Sequence, residues 1–201
     1  MWALVESDSI TKIINNPKAM VIGDVQYPAK IFQLWSASEL NAIGIYEVIT
    51  DSTNKKDEKW YINTNESYAF ADDQVTRSWG TATPKAHADT LWTAQDETDG
   101  KGTEGEVATR GLKYNLIKDL KSQVANELAR TDWYITRNTE KETAIPSAIS
   151  THRDAVRTKQ AEMETAITNA SDTPALETLY TYTTTDGVQS RPLGELPTLE
   201  S

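Results

Sequence analysis

Three glycines have the spacing of a cofactor-binding motif. Gly100, Gly102 and Gly105 follow the G-x-G-x-x-G pattern, with which dinucleotide-binding proteins bring backbone N–H groups close to a pyrophosphate. In those proteins a hydrophobic strand leads into the first glycine. Here Asp96 and Asp99 stand in that place, and their negative charge would repel a pyrophosphate. We therefore interpret the glycines as part of an exposed acidic loop and predict no bound cofactor.

Carboxylates and histidines are the other groups that could do chemistry. Asp96, Asp99 and Glu104 offer oxygen ligands to a divalent cation, but the regular ligand spacing of a calcium loop is missing, so we interpret them as a solvated charge run. The two histidines, His87 and His152, fall in different predicted units. The sequence contains no zinc-peptidase, serine-hydrolase or phosphate-loop motif. We predict no metal site, no catalytic residues and no enzymatic activity.

Composition and charge narrow the classes of partner. The chain has 201 residues, of which 38% are hydrophobic and 25% charged, as is usual for a globular protein of one or two domains. Its net charge of −10 argues against a nucleic-acid partner, because affinity for a phosphate backbone depends on clustered Lys and Arg. The absence of Cys excludes disulfides. No apolar run approaches the roughly 20 residues that span a bilayer, so we expect no membrane insertion, and we expect no signal peptide.

Residues 1–95 carry the pattern of a β-rich domain. Short runs of β-branched and aromatic residues are separated by turn residues, such as the Asn-Asn-Pro at 15–17, which predicts a small antiparallel meander. A short helix interrupts the strands. Ser36 or Ser38 can cap its first turn, and Gly44 can adopt the left-handed conformation at its end. Most of the tryptophans fall in this domain, where we interpret them as core residues.

The second half of the chain predicts an antiparallel helical hairpin, so that the whole is an α+β protein with a second domain at 106–201. The elements expected in chain order are an acidic glycine-containing linker at 96–105, a helix from about Glu106 to Ala129, a helix that restarts at Pro146, a short helix at Pro174, and a β-hairpin with Asp186-Gly187 at its turn. Proline marks a restart because its missing N–H is unneeded in the first helical turn.

Apolar residues recur at helical spacing in both long helices. In the second helix, the residues on the apolar face are Ile149, His152, Val156, Met163 and Ile167, and the residues off that face are Arg153, Arg157 and Lys159. In the first helix, Leu116 and Leu120 point to one side, whereas we place Ile117 and Val124 about 100° round. One partner helix covers one side. The other side needs the β-rich domain, the terminal hairpin or other chains as cover.

The two helices are predicted to meet at a corner formed by residues 131–134. We expect the side chain of Asp132 to fix the turn and the ring of Trp133 to be buried between the helices. A tryptophan in such a core contributes about 3–5 kcal/mol to the free energy of unfolding, as judged by replacement with Ala.

The same corner resembles a known family. Residues 128–159, LARTDWYITRNTEKETAIPSAISTHRDAVRTK, resemble bacteriophage tail proteins of the tail-fibre-associated and tail-fibre-assembly type. Their pattern is a helix, T-D-W-Y/M-x-x-R, a charged turn, I-P, and a helix with Y-R-x-x-[LV]-R. The matching positions are Thr131, Asp132, Trp133, Arg137, Ile145, Pro146, Arg153, Val156 and Arg157. His152 departs from this pattern, because the family usually has an aromatic residue there, most often Tyr.

Two shorter segments extend the resemblance. The segment 27–48 is similar to an N-terminal module of such phage proteins that contains a Leu-Trp pair, and the segment 191–197 resembles the end of proteins encoded in tail gene clusters of aquatic phages. The candidate structural and interaction residues are Trp35, Ile117, Val124, Asp132, Trp133, Arg137, Pro146, Arg153 and Arg157.

The resemblance implies a role in building the phage tail. The first hypothesis is a virion structural protein of the tail: a fibre, a fibre adaptor or a baseplate-peripheral component, which is made in the host cytoplasm and contacts other tail proteins. The alternative is a tail-fibre assembly chaperone that binds the fibre tip. Fibre-type proteins are usually trimers, so a homo-oligomer, and a trimer in particular, is expected. A glycan depolymerase is the weakest hypothesis, because such enzymes usually need a much larger β scaffold and a carboxylate pair about 5–10 Å apart.

Overall fold

The computed structural model describes residues 1–199 and divides the chain into two compact units, Met1–Thr83 and Pro84–Ser201. The predicted α+β class is confirmed, with most strands in the first unit and the long helices in the second. The division falls between Thr83 and Pro84, whereas composition placed a linker at 96–105. Those residues belong to the second unit.

The first unit is built on a five-stranded sheet with the order β2-β1-β5-β8-β7. Its elements are β1 (Trp2–Glu6), β2 (Ser9–Ile14), β3 (Met20–Ile22), β4 (Val25–Tyr27), α1 (Ile31–Leu34), α2 (Ala37–Asn41), β5 (Ile45–Thr50), β6 (Tyr61–Ile62), β7 (Ser67–Ala71) and β8 (Gln74–Ser78), and the two-residue β9 (Thr83–Pro84) falls on the division itself. β5 and β8 are parallel, and the other pairs in this sheet are antiparallel. The predicted meander is wrong after β2, because β3 pairs with β4 and not with β2.

Both faces of β1, an inner strand of this sheet, are covered. Leu4 on one face packs with Phe32, Leu40 and Ile45, while Ala3 on the other face packs with a separate cluster. Successive side chains of a strand point to opposite faces, so the continuous apolar run in β1 fits burial on both sides. The half-buried ring of Trp35 lies edge-on to Tyr27, with 5.8 Å between ring centroids.

Local contacts fix both the start of α2 and the turn that leads from α2 into β5. The Ser36 hydroxyl accepts from the Glu39 backbone N–H at 3.3 Å, and the Glu39 carboxylate accepts from the Ser36 N–H at 2.7 Å, a reciprocal capping box. Gly44 then adopts a left-handed conformation, with φ of 80°. A Cβ atom added there would lie 2.5 Å from the carbonyl oxygen of Val5. Of the two predicted caps, Ser36 is confirmed, as is the conformation of Gly44.

Three aromatic rings of the first unit are buried beneath basic side chains. Trp60, Tyr61 and Trp79 are each at most 7% exposed. Lys55 and Arg77 lie on the ring of Trp79, at 4.9 and 4.5 Å from its centroid. Cations over ring faces keep their charge near water while their alkyl stems cover apolar surface. The interpretation of these tryptophans as core residues is confirmed.

The second unit is an antiparallel helix pair with short flanking elements. They are β10 (Thr90–Leu91), α3 (Ala94–Thr98), β11 (Val107–Thr109), α4 (Leu112–Ala129), α5 (Asp132–Lys141), α6 (Ser147–Asn169), α7 (Thr173–Tyr180), β12 (Thr183–Thr185) and β13 (Val188–Ser190). The first long helix begins at Leu112 and not near Glu106, because 107–109 pair with β10 as a strand. The predicted turn at 131–134 is also wrong, because Asp132 starts a separate helix, α5.

The acidic glycine-bearing segment is folded. Thr93 caps α3, and the Lys101 ammonium lies 3.0 Å from Asp96 and 3.1 Å from Asp99. Gly102 lies against the indole of Trp92, where an added Cβ atom would be 2.3 Å from the ring nitrogen. Close packing against a ring therefore accounts for Gly102, without any bound phosphate.

The predicted hairpin near the C-terminus is confirmed. Asp186 and Gly187 have φ of 51° and 78° between β12 and β13, as a two-residue turn with both central residues left-handed requires. Beyond it, the Arg191 guanidinium lies between the rings of Tyr180 and Tyr182, at 5.3 and 5.2 Å from their centroids. Arg191 also pairs with Glu195 at 2.8 Å. These contacts hold residues 191–195 against the end of α7.

Gly44→Ala should lower the free energy of unfolding by about 3 kcal/mol or more, because it combines a left-handed backbone with a collision at the carbonyl of Val5. Gly23 is the matched control: its φ is 57°, but nothing lies within 4 Å of an added Cβ atom. Gly23→Ala should cost only about 1–2 kcal/mol. Urea unfolding followed by tryptophan fluorescence measures both. Equal losses would contradict the close contact at Gly44.

The Asp96 carboxylate should titrate far below an ordinary aspartate. Hydrogen bonds from the Thr93 hydroxyl, from Lys101 and from the Thr93 N–H lower its pKa from 3.8 to about 2. A lowered pKa in the folded state stabilises the cap above pH 3.8, and this contribution is lost as the pH falls towards 2. NMR titration of the side-chain carboxyl measures the value. Thr93→Val should raise this pKa, and an unchanged pKa in that variant would contradict the capping geometry.

Candidate functional site

The helix pair of the second unit is held by two facing apolar stripes. On α4 the buried residues are Leu116, Leu120 and Val124, and on α6 they are Ile149, His152, Arg153, Val156, Met163 and Ile167. The placement of Val124 away from Leu120 was wrong. Four residues turn a helix by 400°, so Val124 lies only about 40° from Leu120 and belongs to the same buried stripe, at the edge nearer the half-buried Ile117.

Arg153 holds the break between α4 and α5. Its Nη1 donates to the Leu128 carbonyl at 2.8 Å and to the Thr131 hydroxyl at 2.7 Å, and it lies 2.9 Å from the Asp132 carboxylate. Thr131, which is 2% exposed, donates its own hydroxyl to the Leu128 carbonyl at 3.0 Å. Carbonyls at the end of a helix lack a partner within the helix, and here Arg153 and Thr131 supply the donors.

Arg153 was predicted to lie off the apolar face, and this was wrong. The residue is 8% exposed. It follows Ile149 by four residues, which puts it about 40° from Ile149, at the edge of the buried stripe. Asp132, predicted to fix a turn, instead occupies the first turn of α5, where its negative charge interacts favourably with the N-terminal end of the helix.

A second polar contact lies beside the first. His152 Nε2 is 3.1 Å from a carboxylate oxygen of Glu127, and Arg130 is 3.1 Å from the other oxygen. Burial alone would raise the pKa of Glu127, but Arg130 and then His152 outweigh it, so the pKa lies below its usual value. Glu127 therefore stays charged and ties α4 to α6 next to the helix break.

Helix α5 projects from this junction without packing on a core. It lies wholly within the described residues, and none of its side chains is buried. Trp133 is 51% exposed and Ile135 39% exposed, so the prediction that Trp133 is buried is wrong. The reason is that its segment forms the first turn of a helix on the outside of the pair and not a corner between the helices. Asn138 closes the far end by donating to the Thr143 carbonyl at 2.9 Å.

The outer side of α5 carries a small aromatic and basic surface. The rings of Trp133 and Tyr134 have centroids 3.8 Å apart, and the Arg137 guanidinium lies 5.9 Å from the Trp133 ring. We define the α5 surface as Trp133, Tyr134 and Arg137; the exposed Ile135 lies about 200° round the helix from Trp133. Aromatic residues and Arg are enriched among the residues that contribute most to protein interfaces. The residue types of this surface are therefore those expected at a protein–protein interface.

The remaining candidate residues are scattered. The Pro146 carbonyl accepts from the N–H groups of Ile149 and Ser150 at 3.0 and 3.2 Å, so α6 restarts where predicted, but Pro146 is its N-cap and lies one position before the first helical residue. Arg157 is exposed and pairs only with Asp154 among the described residues. Trp35 is in the first unit, and Ile117 lines a shallow cavity on α4, so neither belongs to the α5 surface.

Sequence reasoning missed Tyr134 and Ile135 as surface residues and Arg153 as an anchor. The spacing of Arg153 from Ile149 could have found the anchor, because residues four apart share a helix face. Nothing in the residue types reveals that Trp133 is exposed.

Within residues 1–199, no group of three His, Cys, Asp or Glu side chains is placed to hold a metal ion. No helix in that range is long and apolar enough to cross a bilayer. Comparisons with protein-family models, with curated proteins and with solved structures find no match to this chain. Its function is therefore inferred from its own residues and geometry.

Arg153→Met should lower the free energy of unfolding by about 1.5–3 kcal/mol, because a buried carbonyl and a buried hydroxyl lose their charged donor. Arg157 lies one turn further along α6 and is the matched control. Arg157→Met removes only an exposed ion pair and should change the free energy by less than about 1 kcal/mol. Urea unfolding measures both, and similar losses would show that Arg153 does not anchor the junction.

Proposed function

We propose that this chain is a structural protein of a bacteriophage tail, a fibre, fibre adaptor or baseplate-peripheral component, and that it joins other tail proteins through the α5 surface. The observation that carries the proposal is a helix with no buried side chain that nevertheless presents Trp133 and Ile135, 51% and 39% exposed, to its surroundings. A helix of this length gains little stability alone, and large apolar side chains kept in water favour contact with a partner.

The way α5 is held supports binding. Arg153 and Thr131 fix its first turn, and the Asn138 side chain fixes its last. A surface held in one conformation loses less conformational entropy on binding than a mobile one. The α5 surface is therefore organised before it meets a partner.

The resemblance to tail-fibre-associated proteins supports the identity of the partner. The T-D-W-Y-x-x-R segment that carries the resemblance, 131–137, is the segment that forms the junction and the first turns of α5. The other tail proteins are accordingly the proposed partners, the virion is the proposed location, and a homo-oligomer, in particular a trimer, is the proposed state. Light scattering on the purified chain measures the oligomeric state.

A tail-fibre assembly chaperone is the second candidate. The small size of the α5 surface favours it: α5 spans Asp132–Lys141, about 15 Å of helix, which is short for a stable interface of about 800 Å² per partner. A short contact suits transient binding to a fibre tip. Co-expression with the neighbouring fibre separates the candidates, because only a chaperone is needed to make that fibre soluble.

Mass spectrometry of purified phage particles tests the first candidate. A virion structural protein should be present in fixed stoichiometry with the other tail proteins. Its absence from particles, combined with no effect on fibre solubility, would contradict both candidates.

Trp133→Ala should remove the chain from particles, or abolish fibre solubilisation if the chain is a chaperone, because it deletes the largest exposed ring of the α5 surface. Since Trp133 is half exposed, the free energy of unfolding should change by less than about 1 kcal/mol. Leu34→Ala is the matched control, because Leu34 is 75% exposed and lies in the first unit. If both variants incorporate as well as the original chain, α5 is not the contact surface.

A further inference from the structure

A second surface of the helical unit has a different character. Four residues of α4 line a cavity of about 320 Å³: Tyr114, Ile117, Lys118 and Lys121. We call it the α4 groove. Tyr114 is 43% exposed and Ile117 is half-buried, so the floor is apolar. The last three stand three, four and seven residues after Tyr114, which places all four along one side of the helix beside its buried stripe.

The rim of the α4 groove is basic. Lys118 makes no ion pair within the described part of the chain. Lys121 Nζ is 3.6 Å from a carboxylate oxygen of Glu164, a separation longer than the 2.7–2.9 Å typical of charge-assisted hydrogen bonds. The Lys121 side chain is 57% exposed and is therefore available to another carboxylate. Arg110 lies at the edge over the Tyr114 ring, but Asp89 already pairs with it.

The positive charge of the groove is opposite in sign to the net charge of the whole chain, which is −10. At physiological ionic strength, charges further apart than about 8 Å are largely screened. A segment seated in the groove therefore interacts mainly with Lys118 and Lys121, and less with the acidic residues elsewhere. Carboxylates are the complementary groups.

We infer that the α4 groove binds an acidic segment of another protein, with a large apolar side chain of that segment against Tyr114 and Ile117 and its carboxylates on Lys118 and Lys121. An apolar floor with a charged rim is the usual design of a groove that receives an amphipathic helix. A nucleic acid would satisfy the lysines but not the apolar floor. The inference does not depend on the proposed function of the α5 surface.

A second copy of the chain fits the groove less well. The acidic helix α3, Ala94–Thr98, carries no apolar side chain larger than Ala. Helix α5 offers apolar side chains, but its two acidic and two basic residues balance: Asp132, Arg137, Glu140 and Lys141. Neither combines negative charge with a large apolar side chain in the way the groove requires.

The test uses the full chain and a fluorescein-labelled peptide of about 18 residues built from Leu, Glu and Ala at amphipathic helical spacing. Fluorescence anisotropy should show saturable binding. Lys118→Glu and Ile117→Ser should each weaken it about tenfold, a change of about 1.4 kcal/mol in binding free energy. Lys18→Glu, an equal charge change at an exposed lysine of the first unit, should alter it less than about twofold.

Four outcomes of the binding assay would overturn the inference. They are no saturable binding, equal weakening by Lys18→Glu, equal binding of a peptide with Ser in place of Leu, and equal binding of a single-stranded oligonucleotide. If light scattering shows self-association that Ile117→Ser abolishes, the occupant is a second copy and the inference is also wrong. Circular dichroism of each variant checks that the fold is kept, and Lys118→Glu, at an exposed position, keeps the test valid if Ile117→Ser unfolds.

Discussion

The second unit depends on one buried guanidinium. Arg153 comes from α6 and reaches the point where α4 ends, and there its Nη1 meets the Leu128 carbonyl, the Thr131 hydroxyl and the Asp132 carboxylate. Without it, the Leu128 carbonyl and the buried Thr131 hydroxyl would lose their charged donor, although the Leu128 carbonyl would keep the N–H and hydroxyl donors of Thr131. The apolar stripes, with the contact between Glu127 and His152, hold α4 against α6. The position of the break, and hence the direction in which α5 leaves, depends on the polar contacts of Arg153.

The exposure of α5 follows from that arrangement. A ten-residue helix is marginal in water, and burial of an apolar face normally stabilises it. Here no face is buried, so the stability of α5 comes from its two ends: Asp132 paired with Arg153 at the start, and Asn138 bonded to the Thr143 carbonyl after the end. Exposed side chains between these ends, such as Trp133 and Ile135, do not support the core. They can contact a partner without disturbing the packing of α4 and α6.

Local features of this fold were predictable, and long-range features were not. The Ser36 cap and the Asp186-Gly187 turn depend on residues within one turn of each other, and sequence reasoning found both. The α+β class followed from the change of apolar period along the chain. Trp133 and Arg153 were misplaced because residue type is only a statistical guide to burial. The exposure of Trp133 depends on how α5 leaves the helix pair, which local spacing does not give, whereas the four-residue spacing of Arg153 from Ile149 does place Arg153 on the buried face of α6.

Helix α4 serves two surfaces that are separated along its axis. The α4 groove is centred near Ile117 and the helix break lies at Thr131, fourteen residues or about 21 Å further on. Sites more than about 10 Å apart with no shared side chains act nearly independently. The groove residues make no contact with Arg153, and the anchor of α5 does not involve Lys118 or Lys121. A tail protein at the α5 surface and an acidic segment in the groove are therefore compatible on one copy of the chain, since the buried stripe between α4 and α6 supports both surfaces.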